Sequence, residues 1–254
     1  MIKIKTPQEI EVMQKGGKIL SEVMHELIAK VVSGVSELEL DQLAEKLILE
    51  KGGEPGFKRV QGYKHTICIS TNDVVVHGIP TDYRFKVGDV VGIDCGVYYG
   101  GFHTDMSETG RVIDTPKNDA IDEFLYTGED ALNEAIKKVI IGNNVGDISK
   151  TIQDIVQSKG YSVVRSLVGH GVGHELHEEP EVPGYLVGPV EKTPMLVQGM
   201  VIAVEVIYNM GRPDLLLDDD GWTLRTKDRS ISGLFERTIA IVENGPLILT
   251  PFLK

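Results

Sequence analysis

The sequence is short of cysteine, of basic residues and of long apolar runs. Its two cysteines, Cys68 and Cys95, are too few for a disulfide framework and fit a reducing compartment. Acidic residues outnumber basic ones by 38 to 26, and the formal charge of −12 argues against a nucleic-acid or anionic-membrane surface. No apolar run approaches the length of a membrane-spanning helix, and the first residues lack the apolar core of a secretory signal. These absences predict a cytoplasmic protein that binds neither nucleic acid nor membrane.

What remains is an ordinary globular composition and an order of elements that occurs twice. Of the 254 residues, 41% are hydrophobic and 25% are charged. Apolar residues at helical spacing predict two helices in each half, over 8–32, 37–53, 118–141 and 147–160. Strand-like segments follow each pair of helices. We predict an α/β (α+β) fold in one domain, 1–254, whose pseudo-symmetric halves span about 1–115 and 116–254. Helices would cover one side of a curved, mostly antiparallel sheet.

Four carboxylates interrupt segments that otherwise have the pattern of buried strands. The stretch VVGIDCGVYYGGFHTD contains Asp94 and Asp105, and a turn centred on 99–100 would make them direct cross-strand neighbours. Glu205 and Glu236 stand in similar apolar runs of the second half. A salt bridge explains one buried acid as well as a metal does, but four acids exceed the basic residues nearby. Two divalent cations would balance four repelling carboxylates, so this pattern favours a metal centre.

Three histidines lie in the glycine-rich segment GHGVGHELHEEP: His170, His174 and His177. The glycines disfavour a helix, and the segment lacks H-E-x-x-H, so the pattern does not indicate a zinc-protease helix. Glycines beside a histidine indicate a backbone that approaches a ligand closely. A lone histidine is more often structural than functional, but three beside glycine and proline predict a site.

Taken together, these residues resemble the methionine aminopeptidases, type I. The resemblance rests on an ordered set of motifs: VVVHGIP with His77, GIDCG, GFHTDMSET, GHGVGHELHEEP and FERTI. It runs nearly end to end, and the length is similar to that of the short type I form. It implies the pita-bread fold, which agrees with the arrangement in two halves. It also implies an enzyme that removes the N-terminal methionine from nascent proteins when the second residue is small.

The family pattern implies two divalent metal ions held by five residues: Asp94, Asp105, His170, Glu205 and Glu236. Asp105 and Glu236 would bridge the ions, His170 and Glu205 would complete one of them, and Asp94 would chelate the other. Oxygen and imidazole ligands suit manganese, cobalt, iron(II) or zinc, and magnesium stays open. The ions would acidify a shared water to hydroxide for attack on the scissile carbonyl. Glu205 would then shuttle a proton towards the leaving amine.

The resemblance also implies which residues bind the substrate. His77 and His177 would contact it and stabilise the tetrahedral intermediate. A pocket for the methionine side chain would be formed by residues that could each equally belong to the core: Tyr63, Cys68, Leu176 and Trp222. The implied protein is a monomer that acts on nascent chains at the ribosome.

Several residues near these motifs depart from the family's usual choices, namely Val60, Gly92, Val206, Leu234 and Arg237. Neighbours of metal ligands tune metal affinity and activity. We hypothesise that Arg237, which replaces the usual histidine, pairs with a ligand carboxylate and lowers its pKa.

Two other interpretations stay open. A proline-directed aminopeptidase or prolidase shares the ligands, although such enzymes usually carry a further N-terminal domain. A non-catalytic pita-bread protein that binds partners is the third interpretation, although such proteins typically lose ligands and this sequence keeps all five.

Overall fold

The structure is a computed structural model that describes residues 1–113 and 119–253. The expected boundary between the two halves, at 115/116, lies outside these residues. The helices are α1 (Pro7–Ile28), α2 (Glu37–Glu50), α3 (Asp119–Ile136) and α4 (Val145–Ser158). The strands are β1 (Glu54–Pro55), β2 (Ile67–Thr71), β3 (Val74–Val76), β4 (Val90–Tyr99), β5 (Phe102–Arg111), β6 (Ser162–Val163), β7 (Gly169–Gly171), β8 (Glu178–Val182), β9 (Val201–Asn209), β10 (Leu215–Leu217), β11 (Leu224–Thr226), β12 (Ser232–Val242) and β13 (Gly245–Ile248).

The helices begin at local sequence signals. Before α1, the Thr6 backbone N–H donates to the Glu9 carboxylate and the Glu9 N–H donates to the Thr6 hydroxyl, which forms a capping box. Ser36 and Glu39 do the same before α2. Each such cap stabilises its helix by about 1 kcal/mol. The four predicted helices are confirmed, and each ends two to five residues earlier than expected. Within the described ranges, no helix is long and apolar enough to cross a membrane.

Most strands join one antiparallel sheet of ten strands among the described residues. Its main order is β1-β4-β5-β12-β9-β7-β8, with β2 on β4, β6 on β9 and β13 on β12. A separate three-stranded sheet has the order β10-β11-β3. The strands of the two halves meet where β5 pairs with β12, at Ser107↔Glu236 and Met106↔Arg237. The central strands therefore come equally from both halves.

The helices cover one face of this sheet. In the first half, Cys95 and Met106 face α1 and α2 and lie in their apolar core. In the second half, Val204, Val206 and Phe235 face α3 and α4 in a second core. Because side chains alternate along a strand, the residues between these positions face the uncovered side. The predicted α/β architecture is confirmed.

The β4–β5 hairpin differs from its expected register. The strands pair at Tyr99↔Phe102, so the turn is Gly100-Gly101 and not 99–100. Both glycines have positive φ, 58° and 95°, as the tight hairpin turn with two left-handed residues requires. Tyrosine would be strained in that conformation. The predicted direct pairing of Asp94 with Asp105 is therefore wrong.

Candidate metal centre

The uncovered face of the sheet carries a row of polar side chains across four strands. Asp94 pairs with Ser107, Ser107 pairs with Glu236, and Glu236 pairs with Glu205. Three of the predicted ligands therefore lie in one line, with Ser107 between the first two. The sequence analysis missed Ser107, although its place in the GFHTDMSET motif, two residues after an acid on the same face, could have indicated it.

A second row, two residues along, brings the other two predicted ligands to the same place. Asp105 is held by Thr238, whose hydroxyl accepts from the Asp105 N–H at 2.8 Å. Thr238 pairs with Ala203, and Ala203 pairs with His170. Asp105 thus lies on the same face as Asp94, offset from it along the hairpin. All five predicted ligands converge on one patch of the sheet.

The imidazole of His170 is oriented towards the acids. Its Nδ1–H donates to the Gly171 carbonyl at 2.8 Å, which leaves the lone pair on Nε2. Nε2 lies 3.9 Å from Asp105 Oδ2 and 3.6 Å from Glu205 Oε1. Burial lowers the pKa of His170 to about 4, so the ring is neutral at pH 7 and can act as a ligand.

The carboxylates lie where their charge needs a cation. Burial raises the pKa of Asp94 to about 7. Burial, followed by repulsion from neighbouring acids, raises the pKa of Asp105, Glu205 and Glu236 well above their ordinary values. Since an opposite charge would lower these pKa values, the cluster favours a bound cation over four separate ionised acids.

The donor atoms fit a metal ion. Asp105, His170 and Glu236 each offer a ligand atom, and these atoms lie within 4.8 Å of one another. In the described part of the chain, the buried atoms Asp94 Oδ1 and Glu236 Oε1 have no hydrogen-bond partner. Buried polar atoms rarely lack a hydrogen-bond partner. Oxygen and imidazole donors suit divalent cations of the first transition row.

Arg237 does not pair with a ligand carboxylate, so the pairing in that hypothesis is wrong. Strand alternation places it on the helix-covered face, opposite to Glu236. Its guanidinium donates to the Glu108 carboxylate and to the carbonyl oxygens of Ser107 and Glu236, at 3.0 and 2.7 Å. The attraction of Arg237 does lower the pKa of Glu236, but burial, followed by repulsion from the neighbouring acids, outweighs it and raises this pKa.

One cavity of about 200 Å³ is bordered by the four acids and the histidine of this centre and by the six other predicted site residues: His77, His177, Tyr63, Cys68, Leu176 and Trp222. Four of these residues, Tyr63, Cys68, Leu176 and Trp222, form an apolar wall of the cavity. Cys68 pairs with Asp94, so this wall begins directly beside the first row of polar side chains. The Tyr63 and Trp222 rings meet with centroids 5.1 Å apart. Tyr63 donates its hydroxyl to the Ile67 carbonyl, which leaves its ring as an apolar wall.

Phe57 completes this apolar wall and was missed by the sequence analysis. It packs over Gly96, where a Cβ would lie 2.7 Å from the phenylalanine ring. A glycine within a buried strand is a signal for such a close approach. Of the departures from the family pattern, Val60 and Leu234 border the cavity.

The two predicted substrate-binding histidines lie at the side of the metal centre. The His177 ring is 4.4 Å from the His170 ring. His77 has a positive φ of 56°, a backbone strain that is typical of functional sites. Desolvation lowers the pKa of both histidines more than any other cause does, so both rings are neutral at pH 7. His174, in contrast, is exposed and contacts the Gly101 carbonyl.

An antiparallel sheet with helices on one face and a cluster of metal-binding residue types on the other fits a metallopeptidase, and comparison with known proteins shows the same class. The pattern of metallopeptidase family M24 matches residues 11–243. The chain therefore belongs to metallopeptidase family M24. Membership of this family implies divalent metal ions as the cofactor, in agreement with the donor set.

Within the family, the chain belongs with the methionine aminopeptidases. It is 42% identical to the methionine aminopeptidase of Clostridium perfringens, over 98% of this chain and 99% of that protein. The crystal structure of methionine aminopeptidase from Thermotoga maritima has a TM-score of 0.94 at 39% identity, over 98% of this chain and 99% of that one. The Pyrococcus furiosus prolidase is less similar, with a TM-score of 0.79 and 25% identity, over 99% of this chain and 66% of that one.

Proposed function

We propose that this protein is an aminopeptidase that removes the N-terminal methionine from polypeptides, preferably when the second residue is small. The observation that carries the proposal is one cavity that joins the acidic centre to an apolar pocket. Such a cavity can hold a free amine and an apolar side chain at once. The relatives named methionine aminopeptidase support the same substrate.

Asp94, Asp105, His170, Glu205 and Glu236 would hold two divalent ions. Bound there, the ions would polarise the scissile carbonyl of the substrate and lower the pKa of a water molecule. Glu205, which is partly exposed to the cavity, would accept a proton and return it to the leaving amine. His77 and His177, as neutral imidazoles, would donate hydrogen bonds to the oxygen on which charge develops. Tyr63, Cys68, Leu176 and Trp222 would hold the methionine side chain.

This function is tested by hydrolysis of Met-Ala-Ser with manganese or cobalt and then with a chelator. We expect cleavage after methionine, loss of activity with the chelator, and recovery when the ion is restored. Cleavage of Ala-Pro peptides without cleavage of Met-Ala-Ser would support a prolidase instead. A lack of cleavage of both, with bound metal demonstrated, would support a non-catalytic binding protein.

We further propose that residues 1–254 act as one catalytic domain, as a cytoplasmic monomer that meets its substrates at the ribosome. The two buried free cysteines support a reducing compartment. Light scattering after gel filtration tests the monomer, and co-sedimentation with ribosomes tests the association. A stable dimer or the absence of co-sedimentation would contradict these points without affecting the proposed reaction.

A further inference from the structure

A second opening, which we name the polar groove, lies beside the catalytic cavity and has a volume of about 800 Å³. Arg59, Tyr98 and His103 line one part of it, and His174 and Glu175 line another. Leu176 and His177 border both the polar groove and the cavity. The polar groove and the cavity therefore share a wall at the histidine that we assign to substrate binding.

One wall of the polar groove is built from three planar groups that contact one another. The Arg59 guanidinium lies 3.8 Å over the Tyr98 ring. The Tyr98 and His103 rings follow, with centroids 4.8 Å apart. Arginine on a tyrosine face is held by cation–π attraction, which fixes a long side chain in one place. The wall is thus held in place by contacts within the protein, with the Tyr98 and His103 ring planes tilted by 57°.

His103 in this wall has an unused hydrogen-bonding atom. The residue is 4% exposed, and among the described residues its Nδ1 has no hydrogen-bond partner. Its backbone N–H donates to the Gly173 carbonyl at 2.7 Å, which fixes the position of the ring. A buried ring nitrogen without a partner is costly and points to a ligand that provides one.

We propose that the polar groove binds the substrate peptide beyond the scissile bond, from its third residue onward. This inference rests on the proposed function. When the substrate's amine lies at the acidic centre and its methionine side chain fills the apolar pocket, the rest of the peptide has to leave the cavity. The polar groove is the neighbouring opening that shares His177 with the cavity, and we assign the exit of the peptide to it. There, His103 Nδ1 forms a hydrogen bond with the peptide main chain, and Arg59 and Tyr98 contact its side chains.

The test compares kcat/KM for Met-Ala, Met-Ala-Ser and Met-Ala-Ser-Tyr. In the unaltered protein, we expect kcat/KM to rise with peptide length. In Arg59→Ala and His103→Phe, the ratio between the longest and shortest peptide falls by about fivefold to tenfold, as one hydrogen bond or stacking contact would cause. Phenylalanine keeps the ring of His103 and removes its nitrogens. Arg84→Ala is the matched control, because Arg84 is also an exposed arginine paired with one glutamate.

An unchanged ratio in Arg59→Ala, or an equal fall in Arg84→Ala, overturns the inference. Arg59 is exposed, so its variant carries the test if His103→Phe does not fold. If the unaltered protein cleaves none of the three peptides, the proposed function fails, and calorimetric binding of the same peptides to the metal-loaded protein decides on the polar groove. Tighter binding of the longest peptide, lost in Arg59→Ala, supports it; equal affinities for long and short peptides refute it.

Discussion

At the scale of single residues, Glu205 has contacts that fit two roles. Its carboxylate lies 3.6 Å from His170 Nε2, and it stands directly opposite Glu236. Asp105 and Glu236 are 4% and 3% exposed, whereas Glu205 is partly exposed to the cavity. A substrate can therefore reach Glu205 more easily than it can reach those two acids.

We expect Glu205→Gln to lower kcat on Met-Ala-Ser by about 10²-fold to 10⁴-fold, the usual contribution of a general acid or base. Glutamine has the same shape but cannot accept and return the proton. The assay is made at saturating metal ion, so that weaker metal binding does not limit the rate. Circular dichroism and thermal unfolding of the variant serve as the fold control. A variant as active as the unaltered protein would remove the proton-transfer role.

Arg237 acts on stability through a buried ion pair. Its side chain and that of Glu108 are each 9% exposed, and its guanidinium also contacts two carbonyl oxygens of β5 and β12. We expect Arg237→Met to lower the free energy of unfolding by about 3 kcal/mol, because a charged Glu108 stays buried without this cation. Arg84→Met, at an exposed pair, should cost less than about 1 kcal/mol. Urea unfolding measures both variants, and equal losses would contradict this account.

At the scale of elements, α1 packs so closely on the C-terminal segment that one of its positions has room for glycine alone. A Cβ on Gly17 would lie 2.1 Å from the Leu249 carbonyl oxygen. Alanine normally favours a helix over glycine by about 1 kcal/mol. Here the contact with backbone reverses that preference, since overpacking typically costs about 1–3 kcal/mol.

We therefore expect Gly17→Ala to be less stable than the unaltered protein in chemical unfolding. Gly110→Ala is the control, because a Cβ there meets no atom within 4 Å, and its effect should stay within about 0.5 kcal/mol. A stabilising Gly17→Ala would show that α1 can move away from residue 249.

The helices could be predicted from the sequence because their signals are local. Apolar spacing and the Thr6–Glu9 capping box belong to a few neighbouring residues. The register of the β4–β5 hairpin depends on one position in its turn, and a shift of that turn by one residue moved the partner of Asp94 from Asp105 to Ser107. Asp94 and Asp105 stayed on the same face, because the partner of Asp94 moved by two residues and side chains alternate with a period of two. The cluster was thus predicted although its pairing was wrong.

At the scale of the whole molecule, the acidic centre could be predicted because carboxylates in apolar strands are costly wherever they lie. The polar groove could not be predicted in the same way. Tyr98 and His103 are partners in the β4–β5 hairpin, but Arg59 comes from a separate segment, and its contact with Tyr98 depends on tertiary packing. A residue type indicates a site when its burial is unfavourable by itself. Residue types that are common at protein surfaces give no such indication.

The metal centre also joins the two halves, and this leads to a prediction on stability. Of the five proposed ligands, Asp94 and Asp105 come from the first half and the other three come from the second. Ions that bind the folded state and not the unfolded chain stabilise it by about 2.7 kcal/mol at a concentration of 100 Kd. For a chain of this size, that gain corresponds to a rise in Tm of roughly 5–10 °C.

Differential scanning calorimetry with manganese, and then with a chelator, measures the rise and its reversal. Asp94→Asn should reduce the rise, whereas Asp82→Asn, at an exposed position, should keep it. An equal Tm with and without manganese, up to millimolar concentration, would mean that the five residues do not bind this ion.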